Sequence, residues 1–82
     1  MTAAPKLTAA QVAVLRELAK PGARARLSTP KIGLKYWFVN TSYKKCSKQI
    51  TPLAIHGFVL ATVNGHMQIT PAGRSYLAML DA

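Results

Sequence analysis

Residues 43–49, Tyr-Lys-Lys-Cys-Ser-Lys-Gln, are the stretch of this chain whose side chains could act on a ligand. Lys44, Lys45 and Lys48 place three ammonium groups within five positions, a concentration of like charge that an anion relieves. Ser47 and Gln49 stand among them and bring neutral hydrogen-bonding groups, Gln offering a donor and an acceptor side by side. Fixed cations beside such groups suit a phosphate backbone with base edges behind it. In that chemistry Lys44, Lys45 and Lys48 hold phosphates, while Tyr43, Ser47 and Gln49 meet bases, Gln pairing well with adenine. Arg24, Arg26, Lys31 and Lys35 extend the same phosphate track upstream. With Lys20 these make eight of the 11 basic residues, and none lies between Gln49 and Gly73. A merely solvated basic surface would have no reason to concentrate its charge between Lys20 and Lys48.

Other chemistries have less behind them. Tyr36, Trp37 and Phe38, interleaved with Lys31 and Lys35, suit either a stacking platform for single strands or ordinary core packing. Core is the expectation for most of them, with Trp37, opposite in phase to its neighbours on a strand, as the exposed one. Cys46, His56 and His66 match no zinc spacing and lack a fourth ligand. The two acids, Glu17 and Asp81, form no catalytic pair, and there is neither a Ser-His-acid set nor a Gly-rich phosphate loop. The chain is therefore read as a non-enzyme without metal, cofactor or small-molecule ligand. A single cysteine excludes an intramolecular disulfide and fits a reducing cytoplasm. MTAAPK lacks the order of a signal peptide, and the longest apolar run, 53–63, is too short to span a bilayer.

The charges need a scaffold, and 82 residues of which half are apolar make one small domain with a core. Its net charge of +9 calls for a polyanionic partner. Residues 1–6 read as an arm. A helix over 8–20 is signalled by a Thr8/Gln11 capping box, a Leu7/Val12 staple and a Pro21-Gly22 stop. Its inward stripe is Val12, Leu15, Leu18 and Ala19. Residues 23–40 admit two readings. Thr29-Pro30 can open a helix, yet the alternation from Ile32 to Val39 favours strands at 24–28 and 34–39, paired across STPKIG.

From Thr41 to His56 the pattern is helical, with Cys46, Ile50, Leu53 and Ala54 on one face and Tyr43, Lys44, Ser47, Lys48 and Gln49 toward the polar start. Pro52 conflicts with it: the helix is kinked there, or Thr51-Pro52 caps a separate turn and leaves a helix of 42–50. Gly57 stops the helix. Residues 58–63 and 66–70 then flank Asn64-Gly65, a two-residue hairpin signal. That register puts Phe58, Leu60, Met67 and Ile69 on the apolar face. Thr70-Pro71 caps a last helix lined by Tyr76, Leu77 and Leu80, with Gly73 permitting close approach.

Leu7-Thr8 with Gln11, Val14, Leu15 and Leu18, then Leu53 with His56-Gly57-Phe58-Val59, then Ile69-Thr70-Pro71-Ala72-Gly73-Arg74 occur in an order and spacing that resembles a winged helix-turn-helix domain. The likeness is to MarR-like and small phage-type regulators and covers about half the chain. It implies an α+β fold over 7–82 with three or four helices and a wing turning at Asn64-Gly65. It also implies binding of duplex DNA and a role in transcription regulation; dimerisation is expected besides, because one short helix reads few base pairs and the first and last helices offer apolar faces. The wing tip, Val63-Asn64-Gly65-His66, departs from the family in having no Arg or Lys. A protein-interaction module and an RNA or single-strand binder stand as alternatives.

Overall fold

Thr8 opens helix α1, Ala9–Leu18: its hydroxyl accepts from the Gln11 N–H while the Gln11 side chain accepts from the Thr8 N–H, so the capping box is closed in both directions. Leu15 and Leu18 are buried, and Val12, Val14 and Ala19 pack beside them. In this computed structural model residues 6–81 are described, and the arm expected over 1–6 lies, Lys6 apart, outside the described residues. After α1 come strands β1, Ala25–Ser28, and β2, Tyr36–Val39, then helix α2, Ser47–Ile55. Strands β3, Val59–Ala61, and β4, Met67–Ile69, precede helix α3, Pro71–Leu80. Over the described residues the fold is α+β, with three helices and one four-stranded antiparallel sheet in the order β2-β1-β4-β3.

The middle segment is therefore a hairpin, not a helix. Ala25 pairs with Val39, Arg26 with Phe38, Leu27 with Trp37 and Ser28 with Tyr36. Ala25 and Val39 are fully buried, which fixes the phase of both strands: Trp37 packs against the core, and Tyr36 and Phe38 lie on the other face. The expectation that Trp37 is the exposed aromatic is thus reversed. The alternation is present, but its phase is set by Val39 meeting Ala25 in the core.

The second hairpin also carries a correction. Val59 pairs with Ile69, Leu60 with Gln68 and Ala61 with Met67, and the Thr62 N–H donates to the His66 carbonyl. The loop thus holds three residues, not two. A turn closed by Gly65 N–H to Thr62 C=O at 2.9 Å puts Gly65 at φ 77°, the left-handed geometry of a one-residue bulge. One residue of slip turns β3 over. Val59 is buried and Leu60 is exposed, the opposite of the face expected from a two-residue turn.

Helix α2 runs through Pro52 without dividing, so neither a separate last turn nor a helix of 42–50 forms. Ile50 and Leu53 are buried, and Ala54, expected inward, is exposed. Its end is a Schellman motif: Phe58 N–H reaches the Leu53 carbonyl, Gly57 N–H reaches that of Ala54, and Gly57 has φ 76°. Thr70 caps α3 through the Gly73 N–H and donates its own hydroxyl to the Gly57 carbonyl at 2.7 Å. Tyr76 and Leu77 are buried, whereas Leu80, expected beside them, is exposed. A single cluster joins α1, α2 and α3 to one face of the sheet through Leu15, Leu18, Ile50, Leu53, Tyr76 and Leu77 on Ala25, Val39 and Val59.

Cys46 sits inside this cluster with no exposed surface, and desolvation pushes its thiol up to about 11. Scarce thiolate and no access together predict that a thiol-specific disulfide reagent at pH 8 reacts at least roughly 100-fold more slowly with the native protein than with the urea-unfolded chain. Equal rates would contradict the burial.

Candidate nucleic-acid interface

The face of the sheet turned away from the helices collects cations and rings. Cross-strand pairing puts Arg26 directly opposite Phe38, and an isolated bridge puts Lys45 opposite Phe38 on its other side. Directly opposed residues share a face, so the three make a row of cation, ring and cation. Tyr36 lies 6.2 Å from Phe38 between ring centroids, and the Lys45 Nζ sits 4.7 Å from the Tyr36 centroid, a cation–π contact. Tyr43 stacks on Phe38 at 6.1 Å with 11° between the planes. It does so from a backbone with φ 57°, uncommon for any residue but glycine, and it remains 78% exposed.

That backbone conformation explains why residues 41–46 are not helical. Tyr43 N–H closes a turn onto the Val39 carbonyl, Val39 N–H then takes the Lys44 carbonyl, and Cys46 N–H takes that of Trp37. Lys44 and Lys45 therefore run back alongside β2 as an extended segment and only Lys48 lies on α2, correcting the expectation of a helix from Thr41. The β-sheet hydrogen bonds available from Trp37 and Val39 outweigh a helical pattern set by spacing alone. Helix α2 starts with no side-chain cap and no acid in its first turn, so its positive end stands next to all three lysines.

Two expected base readers are turned elsewhere. The Ser47 hydroxyl accepts the Trp37 N–H at 2.8 Å and is half-buried. Gln49 lines a groove of about 240 Å³ between α1 and the Lys44-Lys45 segment, together with Ala13, Glu17 and Val39. With Ile50 and Leu53 inward, the solvent face of α2 is instead Lys48, Thr51 and Ile55, at positions i, i+3 and i+7. Thr51 and Ile55 were missed. The same helical spacing that identified Ile50 and Leu53 as core would have shown them on the opposite side.

Arg24 is drawn into a different cleft, of about 230 Å³, with Lys20, Gln68 and Arg74. Arg74, also missed, donates to the Ala19 carbonyl at 3.1 Å from the start of α3. Lys31 and Lys35 lie in the fully exposed β1–β2 loop. The charged hairpin of this fold is therefore the first one, while the β3–β4 tip presents Val63, Asn64 and Gly65 to solvent.

Both acids are occupied. Asp81 takes both guanidinium nitrogens of Arg16 at 2.7 and 2.9 Å, and Glu17 takes Lys20 at 3.0 Å. The Arg16 guanidinium holds the Asp81 carboxyl below its ordinary range through these hydrogen bonds. Among the described residues no other Lys or Arg has a side-chain carboxylate partner, and seven of them fall between Arg24 and Lys48. Nor, among the described residues, does any group of three His, Cys, Asp or Glu come together or any helix prove long and apolar enough to cross a membrane. No protein-family model matches the chain, and neither a curated protein nor a solved structure matches it.

Proposed function

We propose that the protein binds duplex DNA and regulates transcription by occupying its site, using a winged-helix-like arrangement of α2 with flanking hairpins. The observation that carries this reading is the set of uncompensated cations between Arg26 and Lys48, which the fold arranges on the first hairpin, the returning segment 44–45 and the first turn of α2. Cations without carboxylate partners release counterions on meeting phosphates, which is the main driving force of such binding. Thr51 and Ile55 replace Ser47 and Gln49 as the side chains facing base edges, Thr51 by hydrogen bonding and Ile55 against a thymine methyl. A hairpin, β1–β2, stands where the second helix of a helix-turn-helix would be, so α2 packs on α1 directly. The cytoplasm is the compartment, no catalytic residue or cofactor is assigned, and a homodimer would use Met79 and Leu80, exposed at the end of α3.

A second reading has its own observation. The Arg26–Phe38–Lys45 row with Tyr36 and Tyr43 is the composition of a stacking site for single strands. Selection of bound duplexes from a random pool, with single-stranded DNA as competitor, separates the two. Duplex is expected to be retained, and Thr51→Ala to relax preference at one base position while leaving the others unchanged. Preferential retention of single strands, weakened by Tyr43→Ala by about 1–3 kcal/mol, would replace the duplex reading with the second one.

A further inference from the structure

Every residue of the β1–β2 loop, 29–35, is exposed. Its centre is Ile32-Gly33-Leu34, with Ile32 92% and Leu34 89% exposed and Gly33 at φ 106°. A loop that only joins two strands needs polar turn residues; two aliphatic side chains held almost wholly in water imply something that covers them. Lys31 and Lys35 bracket the pair and Pro30 precedes it, so the tip reads cation, apolar, glycine, apolar, cation.

We propose that this tip is a wedge for the minor groove of duplex DNA, an inference that rests on the duplex-binding reading. Lys31 and Lys35 hold phosphates at the groove's rims, and Ile32 and Leu34 enter between base pairs, unstack a step and kink the helix axis. Aliphatic side chains carried in by cations are the means by which minor-groove proteins bend DNA. The charge pattern selects the occupant. A second copy of the chain would bring its own lysines to the same point, in a protein of net charge +9. The cations also continue behind the tip, to Arg26 on β1 and Lys45 beside β2. Two rows of phosphates along a groove meet that whole ribbon, whereas a flat layer of lipid headgroups meets only its end. The wedge would favour TA and CA steps, which unstack most readily.

The test uses a duplex with a central TA step and a donor and acceptor dye at its two ends, binding being read by anisotropy and bending by energy transfer. The parent protein is expected to raise transfer by an amount matching a bend of roughly 20–90°. The Ile32→Ala/Leu34→Ala variant, altered only at exposed positions, is expected to bind within roughly tenfold and leave transfer at the free-duplex value. Binding by the parent without a change in transfer, or bending by the variant equal to the parent's, overturns the wedge while leaving duplex binding in place. Absence of any anisotropy change removes the duplex reading and the wedge together. Sedimentation with phosphatidylserine vesicles completes the set: pelleting that depends on Ile32 and Leu34 would assign the tip to lipid and overturn the proposal.

Discussion

A variant carrying glutamine at Lys31, Lys35, Lys44 and Lys48 is expected to bind every duplex about three and a half orders of magnitude more weakly than the parent at 0.1 M salt. Each phosphate contact releases about 0.9 of a counterion, so losing four contacts multiplies to that factor and flattens the log–log salt slope by about 3.6. The loss should be uniform across sequences, since phosphate contacts position the protein without reading bases. All four side chains are exposed and none has a carboxylate partner, so circular dichroism should show an unchanged fold. Titrations by anisotropy at several salt concentrations measure both quantities. An unchanged slope would move the phosphate track away from this face, the cleft of Lys20, Arg24 and Arg74 being the next place to substitute.

The largest expected effect on stability lies at Gly73. A Cβ built there would meet the Phe58 carbonyl oxygen at 2.5 Å and Ile69 Cγ1 at 2.8 Å. The carbonyl cannot easily retreat, because it accepts the Thr70 N–H at 2.9 Å and belongs to the residue that closes the end of α2. Gly73→Ala must therefore push α3 off the β3–β4 hairpin, at about 1–3 kcal/mol by analogy with overpacked cores. In a domain of this size that lowers the unfolding temperature by roughly 5–20 °C, measured by thermal melts at 222 nm. Gly73→Val should go further and leave little folded protein, given a total stability of about 0.05–0.15 kcal/mol per residue. A parent-like melt for Gly73→Ala would mean that α3 does not approach the hairpin so closely.

Local signals in the chain were the legible ones. The Thr8/Gln11 capping box, the Gly57 stop and the Thr70-Pro71 start each depend on a few adjacent residues, and each forms as its chemistry requires. The existence of the Asn64-Gly65 hairpin was legible for the same reason. Its register was not, since Asn-Gly serves a two-residue turn and a three-residue bulged loop equally well, and only the burial of Val59 decides. The same holds for β2, where alternation is visible in Tyr36–Val39 but its phase is set by Val39 meeting Ala25 from another strand.

The candidate site was legible as a charge distribution and illegible as a geometry. Lys44 and Lys45 carry a helical spacing, yet the open hydrogen-bonding edge of β2 captures them. Ser47 and Gln49 have the chemistry to read bases, but the Ser47 hydroxyl satisfies the Trp37 N–H and Gln49 lines the groove beside α1. That Thr51 and Ile55 stand opposite the core side of α2 follows from helical spacing, whereas the loss of Ser47 and Gln49 depends on what β2 and α1 place beside them, a tertiary fact that no window of the sequence contains.

That the uncovered cations between Arg26 and Lys48 form a duplex interface is tested most directly by the salt dependence of equilibrium binding to a labelled two-turn duplex. If about six phosphates are engaged, the log of the association constant should fall against the log of salt concentration with a slope of roughly −5. Binding indifferent to salt, or no binding to any duplex at the lowest salt, would contradict it.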